Sequence, residues 1–289
     1  MIFRLIAMAF AVAGLPAVGL AQKNLDIFLL IGQSNMAGRG TMIASDSTTD
    51  IAGAWLLKDT AGWEPARNPL NRYSSAERLG PLNAVGPGFG FAREIHRLSP
   101  STSLGLVVNA KGGSALKEWT KGTRYYSESL ARLRYAMRSG TLKGILWHQG
   151  EADKDDSAYV TRLSAFIDSL RKDLGRPDLP FIAGQLGPWG TKYAGFNARI
   201  PSLATRVKSA AVVRTDSLVH KGDSTHFDRD SQIKLGGRYA TAAWKLIYEG
   251  TAIGNRGEAR VQMRMPGSWK QRDALGRAPG RVAKRAPAR

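Results

Sequence analysis

Residues 25–40, LDIFLLIGQSNMAGRG, join an apolar run to a glycine-rich turn. The run at 25–31 is almost wholly apolar, which predicts a buried β-strand. Gly32 and Gly38 permit a tight turn that exposes the Ser34 hydroxyl and points backbone N–H groups toward the same place. Ser34 is therefore a candidate nucleophile. The alternative is a serine that only caps a short helix.

Four further apolar runs predict strands that pair with the first. A continuous apolar run suits a parallel sheet that is covered on both faces. The four runs are 104–110, 143–149, 179–185 and 210–216.

Amphipathic stretches at 126–137, 160–170 and 233–247 predict helices, because their apolar residues recur at steps of three and four. Alternating strands and helices predict an α/β fold, a three-layer α/β/α sandwich with about five mainly parallel strands. Residues 41–87 interrupt this alternation, and we expect an irregular loop there with a role in function.

The chain has 289 residues and no cysteine. Its length fits one large domain or two small ones, and a hydrophobic content of 43% is sufficient for a sizeable core. The absence of cysteine excludes disulfides, thiolate metal sites and a cysteine nucleophile.

Residues 1–21 have the pattern of a secretory signal peptide. Arg4 is followed by an uncharged, mostly apolar stretch, and small residues before position 22 favour cleavage after Ala21. A retained anchor is the alternative. The signal predicts a secreted or periplasmic protein with no stable membrane insertion once it is cleaved.

The net charge of +19 is unevenly distributed. Residues 255–289 contain ten Lys or Arg and two acidic residues, a net charge of +8, and few large apolar residues. This composition predicts a basic, disordered tail after a domain at 22–254, with adhesion to an anionic polymer as the alternative. No basic stripe with interleaved aromatic residues precedes the tail, so we expect no nucleic-acid partner.

Unusual polar groups follow the predicted strands, where parallel sheets bind their ligands. Asp223 and His226 are three residues apart, so one local turn can place the carboxylate on the imidazole and leave Nε2 free for a serine. A turn aspartate beside a surface histidine is the alternative. His220 is a competing candidate for the base.

A serine that attacks a carbonyl carbon also needs hydrogen-bond donors for the oxyanion that forms during the attack. The candidates are the N–H of Ser34, the N–H of Gly112 or Gly113, and the side-chain amide of Gln149. A plain turn at the glycines and an amide that satisfies local backbone are the alternatives. Asn35 and Glu151 are candidate supporting residues.

A metal site is a further alternative, because His148, Glu151 and Asp153 are close in sequence. Strand alternation would turn His148 away from Gln149, and Glu151 suits the first turn of the following helix. We therefore expect no metal and no cofactor.

The blocks IGQSNMAGRG, NAKGGSALKEW, ILWHQGEAD and DSTHF, taken together and in this order, resemble the SGNH hydrolase superfamily. Within it they resemble carbohydrate esterase family 6 and the sialate O-acetylesterase-like group. The resemblance spans about residues 25–248 and implies a flavodoxin-like fold and metal-free hydrolysis of acetyl esters on carbohydrates.

By position, the resemblance makes Ser34 the nucleophile and His226 and Asp223 the base and its partner. Gly113 or Gly112 and Gln149 match its oxyanion positions, where many wider members have asparagine in place of the glutamine. The expectation is a carbohydrate O-acetylesterase that forms an acyl-serine intermediate and takes an acetylated carbohydrate as its partner. An esterase or lipase for non-carbohydrate esters and a non-catalytic carbohydrate-binding protein are the alternatives.

Overall fold

The computed structural model describes residues 24–59, 62–77 and 84–249. The predicted signal at 1–21, the predicted tail at 255–289 and the outer limits of the predicted domain at 22–254 lie outside the described residues. Within the described ranges, no helix is both long and apolar enough to cross a membrane.

The strands, in chain order, are β1 (Leu25–Gly32), β2 (Gly40–Thr41), β3 (Ala54–Leu57), β4 (Trp63–Pro65), β5 (Ala84–Val85), β6 (Leu104–Val108), β7 (Gly140–His148), β8 (Phe181–Gly184) and β9 (Ala210–Val213). The α-helices are α1 (Ser34–Ala37), α2 (Ala44–Thr48), α3 (Pro87–Leu98), α4 (Arg124–Ala136), α5 (Tyr159–Leu174), α6 (Ala194–Arg199), α7 (Leu203–Arg206) and α8 (Arg229–Trp244). Short 3-10 turns span Leu70–Tyr73, Leu116–Trp119, Glu151–Asp153 and Ile200–Ser202, and Lys245–Glu249 forms a π-helical turn.

The central sheet has seven strands in the order β4-β3-β6-β1-β7-β8-β9. All neighbours are parallel except β3 and β4, which pair antiparallel. The five predicted strands are all present, and β1 lies at the centre between β6 and β7. The predicted α/β fold with a mainly parallel sheet is confirmed.

The segment at 41–87 is not the irregular loop expected from the sequence, because it supplies two strands of this sheet. β3 extends the sheet beside β6, and β4 pairs with β3 at the edge. Leu56 and Leu57 are buried on opposite faces of the sheet. Four residues are too few to show a period in the sequence, so only pairing with β6 makes this segment a strand.

Alternate side chains of β1 enter two separate cores, as the pleat of a strand requires. Ile27 and Leu29 pack among side chains of α4 and α5, whereas Phe28 and Leu30 pack among side chains of α3 and α8. All four are fully buried, and each contributes about 1.5–3 kcal/mol by leaving water. The apolar run therefore forms the middle layer of the sandwich.

Helices α3 and α8 approach each other closely because two glycines face the opposite backbone. A Cβ on Gly90 would lie 2.1 Å from the Ile233 carbonyl oxygen, and one on Gly236 would lie 2.1 Å from that of Pro87. Asp228 caps the start of α8 by accepting from the Ser231 N–H at 2.8 Å. This packing anchors the loop that immediately precedes α8.

Candidate active site

Ser34 lies directly beyond the carboxyl end of β1, as the first residue of α1. Gly32 has φ 135°, and a Cβ there would lie 2.2 Å from the His148 carbonyl oxygen on β7. Only glycine fits this close approach, which lets the chain turn sharply from strand to helix. The N-cap position belongs to Gln33, so the alternative of Ser34 as a helix cap does not hold.

Ser34, His226 and Asp223 form a continuous hydrogen-bonded relay. The Ser34 hydroxyl lies 3.0 Å from His226 Nε2, and His226 Nδ1 lies 2.7 Å from Asp223 Oδ2. The Ser34 residue is 5% exposed, whereas the His226 side chain is 23% exposed. These distances are those of a nucleophile, a general base and the carboxylate that orients the base.

The Asp223 carboxylate is held by its own loop. Its Oδ1 accepts from the backbone N–H of Thr225 at 3.0 Å and of His226 at 2.8 Å, while Oδ2 contacts the His226 ring. Burial acts to raise the pKa of Asp223, but the hydrogen bonds from His226 and Thr225 outweigh it and lower the pKa to about 2. The carboxylate therefore remains ionised at neutral pH and fixes the ring orientation.

The glycine turn after β6 presents one free backbone donor. Gly112 donates its N–H to Glu77 Oε2 at 3.2 Å, and the Arg39 guanidinium lies 3.7 Å from the other Glu77 oxygen. Gly113 has φ 73°, and its N–H meets no acceptor among the described residues. Both glycines line the same cavity as Ser34. Of the two predicted oxyanion donors, Gly113 is thus the one whose N–H is available.

Gln149 does not fit its predicted oxyanion role in this structure. Its Nε2 lies 2.6 Å from Asp153 Oδ2 and 3.1 Å from both Ser114 O and Gln33 Oε1. Its Oε1 accepts from the Tyr159 hydroxyl at 2.9 Å. A flipped amide would place its oxygen against the Asp153 carboxylate, and the repulsion between the two oxygens disfavours that orientation. Two amide hydrogens facing three protein acceptors leave none for a substrate.

Asn35 and Glu151 form hydrogen bonds behind the catalytic residues. The fully buried Asn35 donates to Glu151 Oε1 at 2.6 Å and to the Thr225 carbonyl at 3.0 Å, and it accepts from the Phe227 N–H at 3.1 Å. The residue after the nucleophile therefore holds the loop that carries His226. The two residues predicted to support the site, Asn35 and Glu151, are thus hydrogen-bonded to each other.

Glu151 lies in a 3-10 turn ahead of α5 rather than in the first turn of that helix. Its second carboxyl oxygen, Oε2, is buried and has no partner among the described residues. Burial raises the pKa of Glu151 to about 7, against the opposing effect of the hydrogen bond from Asn35. At neutral pH a large fraction of this carboxyl is therefore protonated.

The three candidate metal ligands do not converge. His148 points to the far side of β7, where Nδ1 contacts the Tyr239 hydroxyl at 3.1 Å, and burial lowers its pKa to about 3. Asp153 is engaged by Gln149 and by the Leu116 N–H at 2.8 Å. Across the described ranges, no group of three or more His, Asp or Glu side chains is arranged to hold a metal ion.

A cavity of about 540 Å³ opens over Ser34 and His226. Gly113 lines it together with Ser34, so the two candidate oxyanion donors face one space. The side chains at its wall include the ionisable groups of Arg39, Glu77, Glu151 and Lys192. The arrangement fits a polar substrate with one acyl group directed at the serine.

Sequence reasoning missed Gln33, Arg39 and Glu77 at this site. Gln33 Oε1 accepts from the Gln149 amide, and Glu77 holds the Gly112 N–H. Glu77 lies in the segment that was expected to be irregular, 35 residues from its partner. The acidic residue has no local pattern around it, so only the folded contact identifies it.

A family model described as carbohydrate esterase, sialic acid-specific acetylesterase matches residues 24–245. A probable carbohydrate esterase of Arabidopsis thaliana is 32% identical over 232 residues, which cover 73% of this chain and 86% of the relative.

Solved structures show the same architecture. The crystal structure of the Arabidopsis protein matches with a TM-score of 0.69 and 28% identity, over 77% of this chain and 98% of that one. NanS matches with a TM-score of 0.65 and 16% identity, over 78% and 98%. A carbohydrate acetylesterase from Xanthomonas citri matches with a TM-score of 0.56 and 21% identity, over 78% and 57%. At these lower identities the last two likenesses concern the fold alone.

Proposed function

The chain belongs to the sialic acid-specific acetylesterase family of carbohydrate esterases, and from this premise we propose that it removes O-acetyl groups from carbohydrates by a Ser34–His226–Asp223 mechanism. The observation that carries the proposal is the relay of 3.0 Å from Ser34 Oγ to His226 Nε2 and 2.7 Å from His226 Nδ1 to Asp223 Oδ2.

In the first half of the reaction, His226 Nε2 removes the hydroxyl proton as Ser34 Oγ attacks the acetyl carbonyl carbon. The developing imidazolium is stabilised by the Asp223 carboxylate, whose lowered pKa keeps it ionised. His226 then returns the proton to the sugar oxygen, the alcohol leaves, and acetyl-Ser34 remains.

The negative charge on the carbonyl oxygen is held by the backbone N–H groups of Ser34 and Gly113. Neither N–H has an acceptor among the described residues, so both are free for the transition state. In the second half, His226 deprotonates a water molecule that attacks the carbonyl carbon of acetyl-Ser34, and it returns that proton to Ser34 Oγ as the bond from Oγ to the acyl carbon breaks and acetate is released. Gln149 acts in this scheme by holding Ser114, Asp153 and Gln33 rather than by contacting the oxyanion.

We propose further that the enzyme works outside the cytoplasm, as a secreted or periplasmic protein. This proposal is supported by the residue pattern at 1–21 alone. Sequencing the N-terminus of the exported protein would test it, with residue 22 as the expected first residue.

The test of function is acetate release from acetylated xylan, from O-acetylated sialic acid and from 4-nitrophenyl acetate. Ser34→Ala is expected to lose roughly 10⁴–10⁶ of turnover, as nucleophile variants of serine hydrolases do. Ser47→Ala is the matched control, because Ser47 is exposed and, among the described residues, its hydroxyl hydrogen-bonds only to the Ala44 carbonyl. Near-normal turnover by Ser34→Ala would refute the mechanism. A strong preference for long-chain nitrophenyl esters over all acetates would refute the acetyl specificity.

A further inference from the structure

We propose that His220 is a positioning residue for the catalytic loop at 220–227, and that it acts as a hydrogen-bond acceptor. The sequence left His220 as a competitor for the role of base. In the structure the His220 ring faces its own loop, where it stabilises the conformation that positions Asp223 and His226. The inference rests on the proposed function only in that this loop carries the proposed base.

The His220 ring receives two backbone hydrogen bonds on one nitrogen. Nδ1 lies 3.0 Å from the Gly222 nitrogen and 3.2 Å from the Ser224 nitrogen, with both N–H groups directed at it. A ring nitrogen that accepts from two N–H groups carries no proton itself, so the hydrogen of the neutral imidazole is on Nε2. The side chain plays the part that an aspartate or asparagine oxygen usually plays in a turn.

The loop needs such a support because its backbone is held in an unfavourable conformation. Gly222 has φ 115°, and Ser224, which carries a side chain, has φ 50°. Residues other than glycine rarely adopt this region unless the surroundings impose it. Asp223 lies between the two residues that His220 holds, so the acceptor controls the position of the carboxylate.

Other contacts keep the His220 ring in place. His220 forms an isolated antiparallel bridge with Phe227, and the Lys221 N–H donates to the His226 carbonyl at 2.9 Å. The ring also packs edge-on against Trp189, with centroids 5.1 Å apart, and Trp189 packs against Phe227 at 5.0 Å. Trp189 thus contacts both the His220 ring and Phe227, the residue that follows His226.

His220 is not placed to act on the substrate. It does not line the cavity over Ser34, and within the described ranges it has no hydrogen bond to Ser34 or His226. Its effect on the reaction is expected through the loop, by fixing the distance between Asp223 Oδ2 and His226 Nδ1. A misplacement of about 1 Å in a catalytic group can cost roughly 100-fold in rate.

The test compares three variants with wild-type enzyme in acetate release. In His220→Asn the side-chain oxygen can occupy the place of Nδ1, whereas His220→Gln places its amide near the position of Nε2. His220→Ala removes the acceptor. We expect His220→Ala and His220→Gln to lose roughly 10–100-fold in kcat with KM within twofold, and His220→Asn to stay within about threefold. Each variant is assayed well below its own Tm.

A second measurement does not depend on activity. Hydrogen exchange of the Gly222 and Ser224 amides, followed by NMR, is expected to quicken roughly tenfold in His220→Ala and His220→Gln but not in His220→Asn. Unchanged exchange in His220→Ala would overturn the acceptor role, as would equal kcat for His220→Asn and His220→Gln. If the wild-type enzyme released no acetate while the exchange pattern held, the proposed function would fail and the acceptor role would stand.

Discussion

The raised pKa of the Glu151 carboxyl predicts that the free energy of unfolding falls as pH rises from about 4.5 to about 7. Its Oε2 is buried and has no partner in the part of the chain that the structure describes, and burial raises the pKa from 4.5 to about 7 in the folded protein. The folded state therefore binds this proton more tightly than the unfolded state does. The resulting penalty is absent below pH 4.5, grows as pH rises toward 7, and is complete above 7.

The size of the penalty follows from the same two values. At 1.36 kcal/mol for each tenfold change in proton affinity, a rise from 4.5 to about 7 corresponds to about 3 kcal/mol. The residue as a whole is partly exposed although Oε2 is buried, so we expect about 2–3 kcal/mol. Glu151→Gln removes the titrating group and keeps an oxygen that can accept from Asn35 at the place of Oε1.

The assay is urea unfolding of wild type and Glu151→Gln between pH 4.5 and 8.5. The free energy of unfolding of the variant minus that of wild type is expected to be lowest at pH 4.5, to increase as pH rises, and to level off above pH 7. The matched control is Asp155→Asn, which removes one negative charge from a side chain that is 86% exposed and should change stability by about 0.5 kcal/mol or less. A stability difference for Glu151→Gln that does not vary with pH would refute the reasoning.

Two further variants test the residues around the relay. Glu77→Leu removes the acceptor for the Gly112 N–H and so loosens the turn that positions the Gly113 N–H. We expect kcat to fall roughly 10–100-fold while KM changes little, because the oxyanion loses a well-placed donor. An unchanged kcat would contradict Gly113 as an oxyanion donor. Asp223→Asn should lower kcat on the order of 10⁴-fold, because the amide cannot stabilise the imidazolium. Since the lowered pKa of Asp223 keeps the wild-type carboxylate ionised until pH falls toward 2, protonation of this group should not reduce wild-type activity between pH 6 and 8. A kcat for Asp223→Asn within tenfold of wild type at pH 7 would contradict the assignment.

The positions of the five main strands along the chain could be predicted because they depend on local patterns, whereas their order in the sheet was not predicted. The continuous apolar runs mark strands buried on both faces, and β1, β6, β7, β8 and β9 all appear where the runs predict them. Helix α3 was not predicted, because Gly88 and Gly90 weaken the helical pattern. Its helical state depends on packing against α8, where those glycines permit close contact.

At the candidate site too, some features depend on local sequence and others on contacts between distant residues. The glycine-flanked Ser34 turn and the spacing of Asp223 and His226 are local features, so the sequence alone determined which side chains are candidates. Which donors are free was decided only by the tertiary structure. Gly112 is occupied by Glu77, 35 residues away, and the Gln149 amide is occupied partly by Gln33, 116 residues away. A hydrogen bond depends on distance in space rather than along the chain, so no local pattern could reveal that these two donors are already bonded.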